Sequence, residues 1–357
     1  MLPPSLIALL DRTRRASVPL LLAALLSGCA SLEYYAQLGR GHLDLLRARQ
    51  PVADLLADPA QDPALQRRLQ QTQLARRFAS SHLALPDNGS YRVYAPLQRP
   101  YVVWNVFATP ELSLAPQTHC FPIAGCVAYR GYYALGRARG AAALLQRQGL
   151  DTYVGGVEAY STLGWFDDPL LSTMLRWDDQ RLAALIFHEL AHQRLYVQDD
   201  TAFNESFASF VEEQGLQQWR ASQGLAETDA GGEQQRRQFT ALILASRERL
   251  QQLYDGPLDD AHKRAAKAAE FERLRAEYRQ LRDGQWQGDR RYDAWINAPL
   301  NNAKLLPFGL YDQWVPAFAA LFREVEGDWP AFYARAEQLG RLAPEARLQA
   351  LQRLNAR

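Results

Sequence analysis

The chain has 357 residues, 48% of them hydrophobic and 22% charged, enough to bury a sizeable core in one large or two smaller domains. Its 40 Lys+Arg and 39 Asp+Glu nearly cancel, and no basic run or stripe is present, which excludes nucleic acid as an expected partner. No repeat of solenoid length appears, so the expected class is an α+β, mostly helical globular protein.

The N-terminus reads as an export signal. Arg12, Arg14 and Arg15 precede an apolar run over residues 18–26, too short to span a bilayer as a stable helix. The run ends in Leu26-Ser27-Gly28-Cys29, which resembles the bacterial lipobox. That resemblance implies a signal peptide over 1–28, cleavage before Cys29 and a lipid on Cys29, hence a membrane anchor in the bacterial cell envelope. Ala30 in place of Asp favours, by resemblance to sorted lipoproteins, the periplasmic face of the outer membrane. The bland alternative is a buried cysteine closing a hydrophobic helix.

Residues 29–89 have a helical pattern, with Leu32, Tyr35, Leu43 and Leu46 near helix spacing, Pro51 and Pro63 as breaks, and Leu65, Leu69 and Phe78 striping a further helix. Asp87-Asn88-Gly89 is a turn signal. Nothing in this segment suggests chemistry.

From residue 90 the composition turns β-branched and aromatic. Residues 91–94, 101–107, 127–133 and 152–154 read as strands of one small sheet, with 137–148 a helix crossing it. Cys120 and Cys126 are the only cysteines besides Cys29, and export would place them in an oxidising compartment, so a disulfide across the short loop is expected. The alternative is two reduced, buried thiols. Glu158 ends this block, thirty residues before His188. Its frame, Gly155-Gly156-Val157-Glu158-Ala159, resembles the G-x-M-E-N segment of the aminopeptidase N family, where the glutamate anchors a substrate's free amino group. Ala159 departs from that pattern, and an exposed glutamate ending a strand is the competing reading.

The most informative stretch is 185–214. His188, Glu189 and His192 form an H-E-x-x-H motif within a run of helix formers capped by Asp178 or Asp179. Residues four apart stack on one helix face, so both imidazoles can address one ion, and Glu189 is placed to take a proton from an attacking water. Glu205, thirteen residues after His192, starts a second helical run and is the expected third ligand. Three protein donors with an open position define a catalytic zinc site. Asp199 and Asp200 are rival third ligands in the polar turn between the helices. Glu212 lies on roughly the same face as Glu205 and could orient a ligand histidine, but a solvated glutamate is the simpler expectation. Beyond residue 226, Phe239, Ile243, Leu250 and Tyr254 stripe one helix and Phe271, Leu274, Tyr278 and Leu281 the next, an antiparallel hairpin followed by Phe- and Trp-rich helices. Tyr160, Tyr254, Tyr278, Tyr292 and Tyr311 are candidate donors to a developing oxyanion.

A glutamate on the following helix, with Gln193 after the motif and Asn204 before Glu205, resembles the gluzincins. The pairing H-E-L-A-H-Q with N-E-S-F-A resembles a bacterial family of zinc aminopeptidases carried on lipoproteins, over most of the mature chain. The resemblance implies a zincin-like fold with a small β-sheet packed on the metal-binding helix, a catalytic core over 90–225 and a C-terminal helical region over 226–357. It also implies zinc as cofactor and a peptide or protein substrate. The competing functions are a zinc endopeptidase of envelope proteins and a non-catalytic scaffold lipoprotein that keeps zinc for stability.

Overall fold

A computed structural model describes residues 32–356 except 122–124, 160–161, 163–165, 226–229 and 309–312. The signal segment and Cys29 lie outside the described residues, as do Tyr160 and Tyr311. The chain divides into two compact units, residues 1–48 and 49–357. In the first, helix α1 covers residues 32–47.

The second unit opens with a two-residue strand β1 (Gln50–Pro51), then α2 (Val52–Ala57) and α3 (Pro63–Ser81). Pro63 begins α3 rather than merely interrupting it, because a first-turn proline has no amide to lose and Asp62 caps the end, accepting from the Ala64 amide at 2.9 Å. Six further strands and a helix follow: β2 (Val93–Ala95), β3 (Val103–Pro110), β4 (His119–Phe121), β5 (Gly125–Val127), β6 (Tyr129–Tyr132), α4 (Leu135–Arg147) and β7 (Leu150–Val157). A two-residue strand β8 (Leu170–Leu171) precedes the helical remainder: α5 (Asp179–Arg194), α6 (Thr201–Ser222), α7 (Ala230–Asp255), α8 (Asp260–Gly284), α9 (Asp293–Asn297), α10 (Asn302–Leu305), α11 (Val315–Glu324), α12 (Trp329–Gly340) and α13 (Pro344–Asn355).

The strands form three small sheets, not one. The main sheet is antiparallel in the order β6-β3-β7. The segment expected to join it at 91–94 instead supplies β2, which pairs with β1 and β8; strand propensity selects the conformation, and the partner is set by distant packing. Alternation along β3 explains the main sheet's two faces. Trp104 and Val106 turn to one side and bury against Ala138 and Ala142 of α4, while Phe107 turns to the other and meets Ala303 and Leu306. The helix covering this sheet is therefore α4, whereas α5 packs chiefly on α6 and α3.

Helices α7 and α8 form the antiparallel hairpin the stripes predict, with Gln238 bonded to Gln285 near one end and Lys263 to the Tyr254 carbonyl near the other. Phe239, Ile243, Leu250, Leu274 and Tyr278 share its core. Farther on, Phe207 and Phe210 of α6 pack edge and face against Phe318, Phe322 and Phe332. The core around α6 thus runs on into the C-terminal helices. Among the described residues no helix is long and apolar enough to cross a membrane.

Candidate metal centre

Helix α5 starts at Asp178, whose carboxylate accepts the amides of Gln180 and Arg181, and it buries Leu182, Ile186, Phe187 and Leu190 on nearly every side. Such a helix cannot rotate without emptying its surroundings, and this fixes the direction of its polar residues. His188 and His192 lie one turn apart, 9% and 6% exposed, with their Nε2 atoms 3.1 Å from each other. Helix α6 is capped by Asp200, which accepts the Phe203 amide. From its second turn Glu205 extends Oε2 to 3.4 Å from His188 Nε2 and 3.6 Å from His192 Nε2.

These three separations test whether a metal ion fits. Tetrahedral donors held at about 2.0–2.1 Å from one zinc sit about 3.3–3.4 Å apart. The observed 3.1, 3.4 and 3.6 Å bracket that edge length. Two imidazole lone pairs aimed at one another across 3.1 Å repel unless a cation or proton lies between them. The donor set fits a metal, and the Glu205 side chain is 20% exposed.

The surrounding charges agree. Burial alone would strip His188 of its proton, but hydrogen bonds to Glu205 and Glu212 hold its pKa well above the ordinary imidazole value. Burial would likewise raise Glu205; the two histidines reverse this and drive its carboxyl far below the usual range.

Glu212, 36% exposed at its side chain, also has a partner, the less simple of the two alternatives that the sequence offers. Its Oε2 accepts His188 Nδ1–H at 2.9 Å. That bond fixes the tautomer and leaves the Nε2 lone pair facing the group, the usual arrangement around a metal-bound histidine. Against the pull of burial, His188, Arg236 and Arg181 hold the Glu212 carboxyl below its ordinary value. Among the described residues His192 has no equivalent support, since its buried Nδ1 lacks a hydrogen-bond partner there.

Asn204 has an assignment too. Its side-chain oxygen accepts the Val197 amide at 2.7 Å while its nitrogen donates to the Val197 carbonyl at 2.6 Å. This two-point clamp fixes the connection between α5 and α6, so the asparagine shapes the loop and the adjacent glutamate provides the donor. The rival ligands are otherwise engaged: Asp199 accepts the Cys126 amide, and Asp200 caps α6 and pairs with Arg347 at 2.7 Å.

Behind the motif lies a polar network that the sequence did not reveal. Gln193, one turn after Glu189, bonds Ser90, Asn88 and the fully buried Asp168. Asp168 also accepts the Thr162 amide. Tyr91, next to Ser90, is wholly buried in a left-handed conformation (φ 63°), and its hydroxyl has no hydrogen-bond partner among the described residues. Burial, then the charges of Glu189 and Asp168, push its pKa well up, which places it beside the motif's glutamate. Glu189 itself is half-buried and makes no hydrogen bond or ion pair among the described residues.

Glu158 follows directly on β7. Its Oε2 accepts Trp177 Nε1–H at 2.8 Å and lies 3.9 Å from Arg181, whose guanidinium stacks over Trp177. Arg181 is two turns before His188 on the same face of α5, so Glu158 sits toward the start of the metal-binding helix and is not a member of the donor group. Cys120 and Cys126 are joined in a disulfide across β4–β5. Of the tyrosine candidates, Tyr254 bonds Asn302, Tyr278 bonds Asp293, and Tyr292 stacks on Phe239 within the helical hairpin's core.

The fold and site thus define an α+β, mostly helical protein with two histidines and a glutamate arranged to hold a metal ion. A family model described as "Putative aminopeptidase" matches residues 33–351, and the chain belongs to that family. No curated protein and no solved structure matches it.

Proposed function

We propose that the protein is a zinc-dependent peptidase of gluzincin type, an aminopeptidase anchored as a lipoprotein through Cys29 on the periplasmic face of the bacterial outer membrane. One observation carries the catalytic part: three donors spaced as a tetrahedron's edges, with an unengaged carboxylate, Glu189, beside them. His188, His192 and Glu205 would hold the ion, with Glu212 orienting His188. A zinc ion there would polarise the scissile carbonyl and ease ionisation of the attacking water. Glu189 takes the water's proton and delivers it to the leaving amine. Retaining zinc alone requires no such carboxylate, which argues against the scaffold reading.

The exopeptidase assignment rests on Glu158 receiving the substrate's ammonium through Oε1, which carries no hydrogen bond among the described residues. An endopeptidase is the second reading, favoured by the engagement of the same carboxylate with Trp177 and its nearness to Arg181. Peptides with free and acetylated N-termini separate the two. The aminopeptidase cleaves only the free form and weakens with Glu158→Gln; equal cleavage of both forms would establish the endopeptidase.

A further inference from the structure

The connection between the two ligand-bearing helices is held from two sides. On the inside is the Asn204 clamp on Val197. On the outside is the disulfide hairpin β4–β5, whose Cys126 amide donates to Asp199 Oδ1 at 3.0 Å. Two unusual backbone conformations meet at this contact. Gly125 has φ 70°, and a Cβ there would collide with the Asp199 carboxylate. Asp199 itself has φ 62°, a region that Asp and Asn tolerate better than other side-chain-bearing residues. The chain places a left-handed aspartate and a glycine at a point where the hairpin touches the ligand loop.

We propose that Asp199 is a positioning residue for the metal centre, and that through it the Cys120–Cys126 disulfide governs how firmly His188, His192 and Glu205 retain their ion. This rests on reading those three as metal ligands. A two-stranded hairpin with three-residue strands does not persist by itself in water. Cys120 and Cys126 pair directly across it, so their bond is what keeps the Cys126 amide presented to Asp199. Both cysteines are exposed and open to a small dithiol. The dithiol transfers two electrons and two protons; the S–S bond breaks, two cysteine thiols form, and the reagent closes to a cyclic disulfide. Without the hairpin, Asp199 loses the partner that holds its left-handed turn, and the segment setting the start of α6 loosens six residues before Glu205. The protein would therefore hold its ion tightly where disulfides persist and release it faster where they are reduced.

The test uses the full chain loaded with zinc and challenged with a chromogenic chelator. Three forms are compared with the oxidised wild type: Cys120→Ser/Cys126→Ser, Asp199→Ala, and wild type reduced with a dithiol, alkylated and freed of reagent before zinc is added. Each should release zinc about threefold to tenfold faster, less than the about 10–100-fold typical when a group bonded directly to a ligand is lost. Asp199→Asn should release at the wild-type rate, because its side-chain oxygen accepts the same amide and it tolerates the same backbone. Metal-free Asp199→Ala should melt within about 2 °C of wild type, as expected for a surface contact. Wild-type release rates from Asp199→Ala and the double serine variant would overturn the proposal. So would a drop in the metal-free melting temperature of Asp199→Ala that Asp199→Asn shares. If the wild type binds no zinc, the ligand reading itself fails, and hydrogen exchange of residues 195–200 in metal-free protein decides the contact. Faster exchange on reduction supports the coupling; unchanged exchange refutes it.

Discussion

Two helix pairs in this molecule use charge in opposite ways. In the α7–α8 hairpin several charged groups face a complement: Arg249 grips Glu270 and Glu277, Arg273 reaches Glu277, and Arg282 meets Asp293. In the α5–α6 pair, two histidines and a glutamate turn towards one another, and among the described residues Glu205 makes its ion pairs with the two histidines. Among the described residues one imidazole nitrogen of His192 is buried without a hydrogen-bond partner, and Glu189 has neither a hydrogen bond nor an ion pair. A pair built for stability satisfies its polar groups. A pair that leaves donors converging on one point is arranged for something the chain does not itself supply.

The comparison breaks first at Glu189. Glu189→Gln should cut peptide turnover by about 10²–10⁴-fold, the range for a lost general base, while metal content stays at the wild-type value. Full turnover in a clean preparation would remove the residue from the mechanism. Next in size, Glu205→Ala should abolish stoichiometric metal binding as measured by elemental analysis. Glu212→Ala should weaken binding by about 10-fold, because it removes the orienting bond to His188 without touching a donor atom.

The pH dependence sharpens the contrast. His188 has a raised pKa in the folded, metal-free protein, so its contribution to stability is complete below the ordinary imidazole pKa and is lost as pH rises through the raised value. Glu205 has a depressed pKa, so its contribution is complete above the ordinary carboxyl range and is lost as pH falls through the depressed value. The metal-free group therefore holds together best between those limits. Zinc must displace the His188 proton, so affinity rises with pH. The difference in melting temperature between zinc-loaded and metal-free protein should widen steadily from pH 6 to pH 8; a constant difference would mean that no proton is displaced. At the small end, Arg273→Ala in the hairpin removes one arm of an exposed i,i+4 pair. It should change stability by about 0.5 kcal/mol or less and leave metal binding untouched.

Much of the site could be read in the sequence because its signals are local. His188 and His192 are one helical turn apart, and Glu205 sits at the start of the next helix, so spacing alone brought three donors close. The hairpin stripes through Phe239, Leu250, Leu274 and Tyr278 were legible for the same reason. What escaped depends on how elements cross. Glu212 was on the correct face, but its partnership with His188 depends on the packing of α5 against α6, which no periodicity encodes. Gln193, Ser90 and Asp168 are 25 to 103 residues apart and share no pattern. The two-residue strands β1 and β8 are too short to show alternation, so the partners of β2 were invisible. The disulfide was readable by elimination, yet its contact with Asp199 belongs to the tertiary structure alone.

The central claim is that His188, His192 and Glu205 share one ion. Elemental analysis of the purified full chain, beside a variant carrying alanine at all three positions, tests it directly. The account predicts close to one equivalent of zinc per wild-type chain and none in the triple variant. A wild-type chain that stays metal-free in excess zinc, or a triple variant that keeps its equivalent, would contradict it.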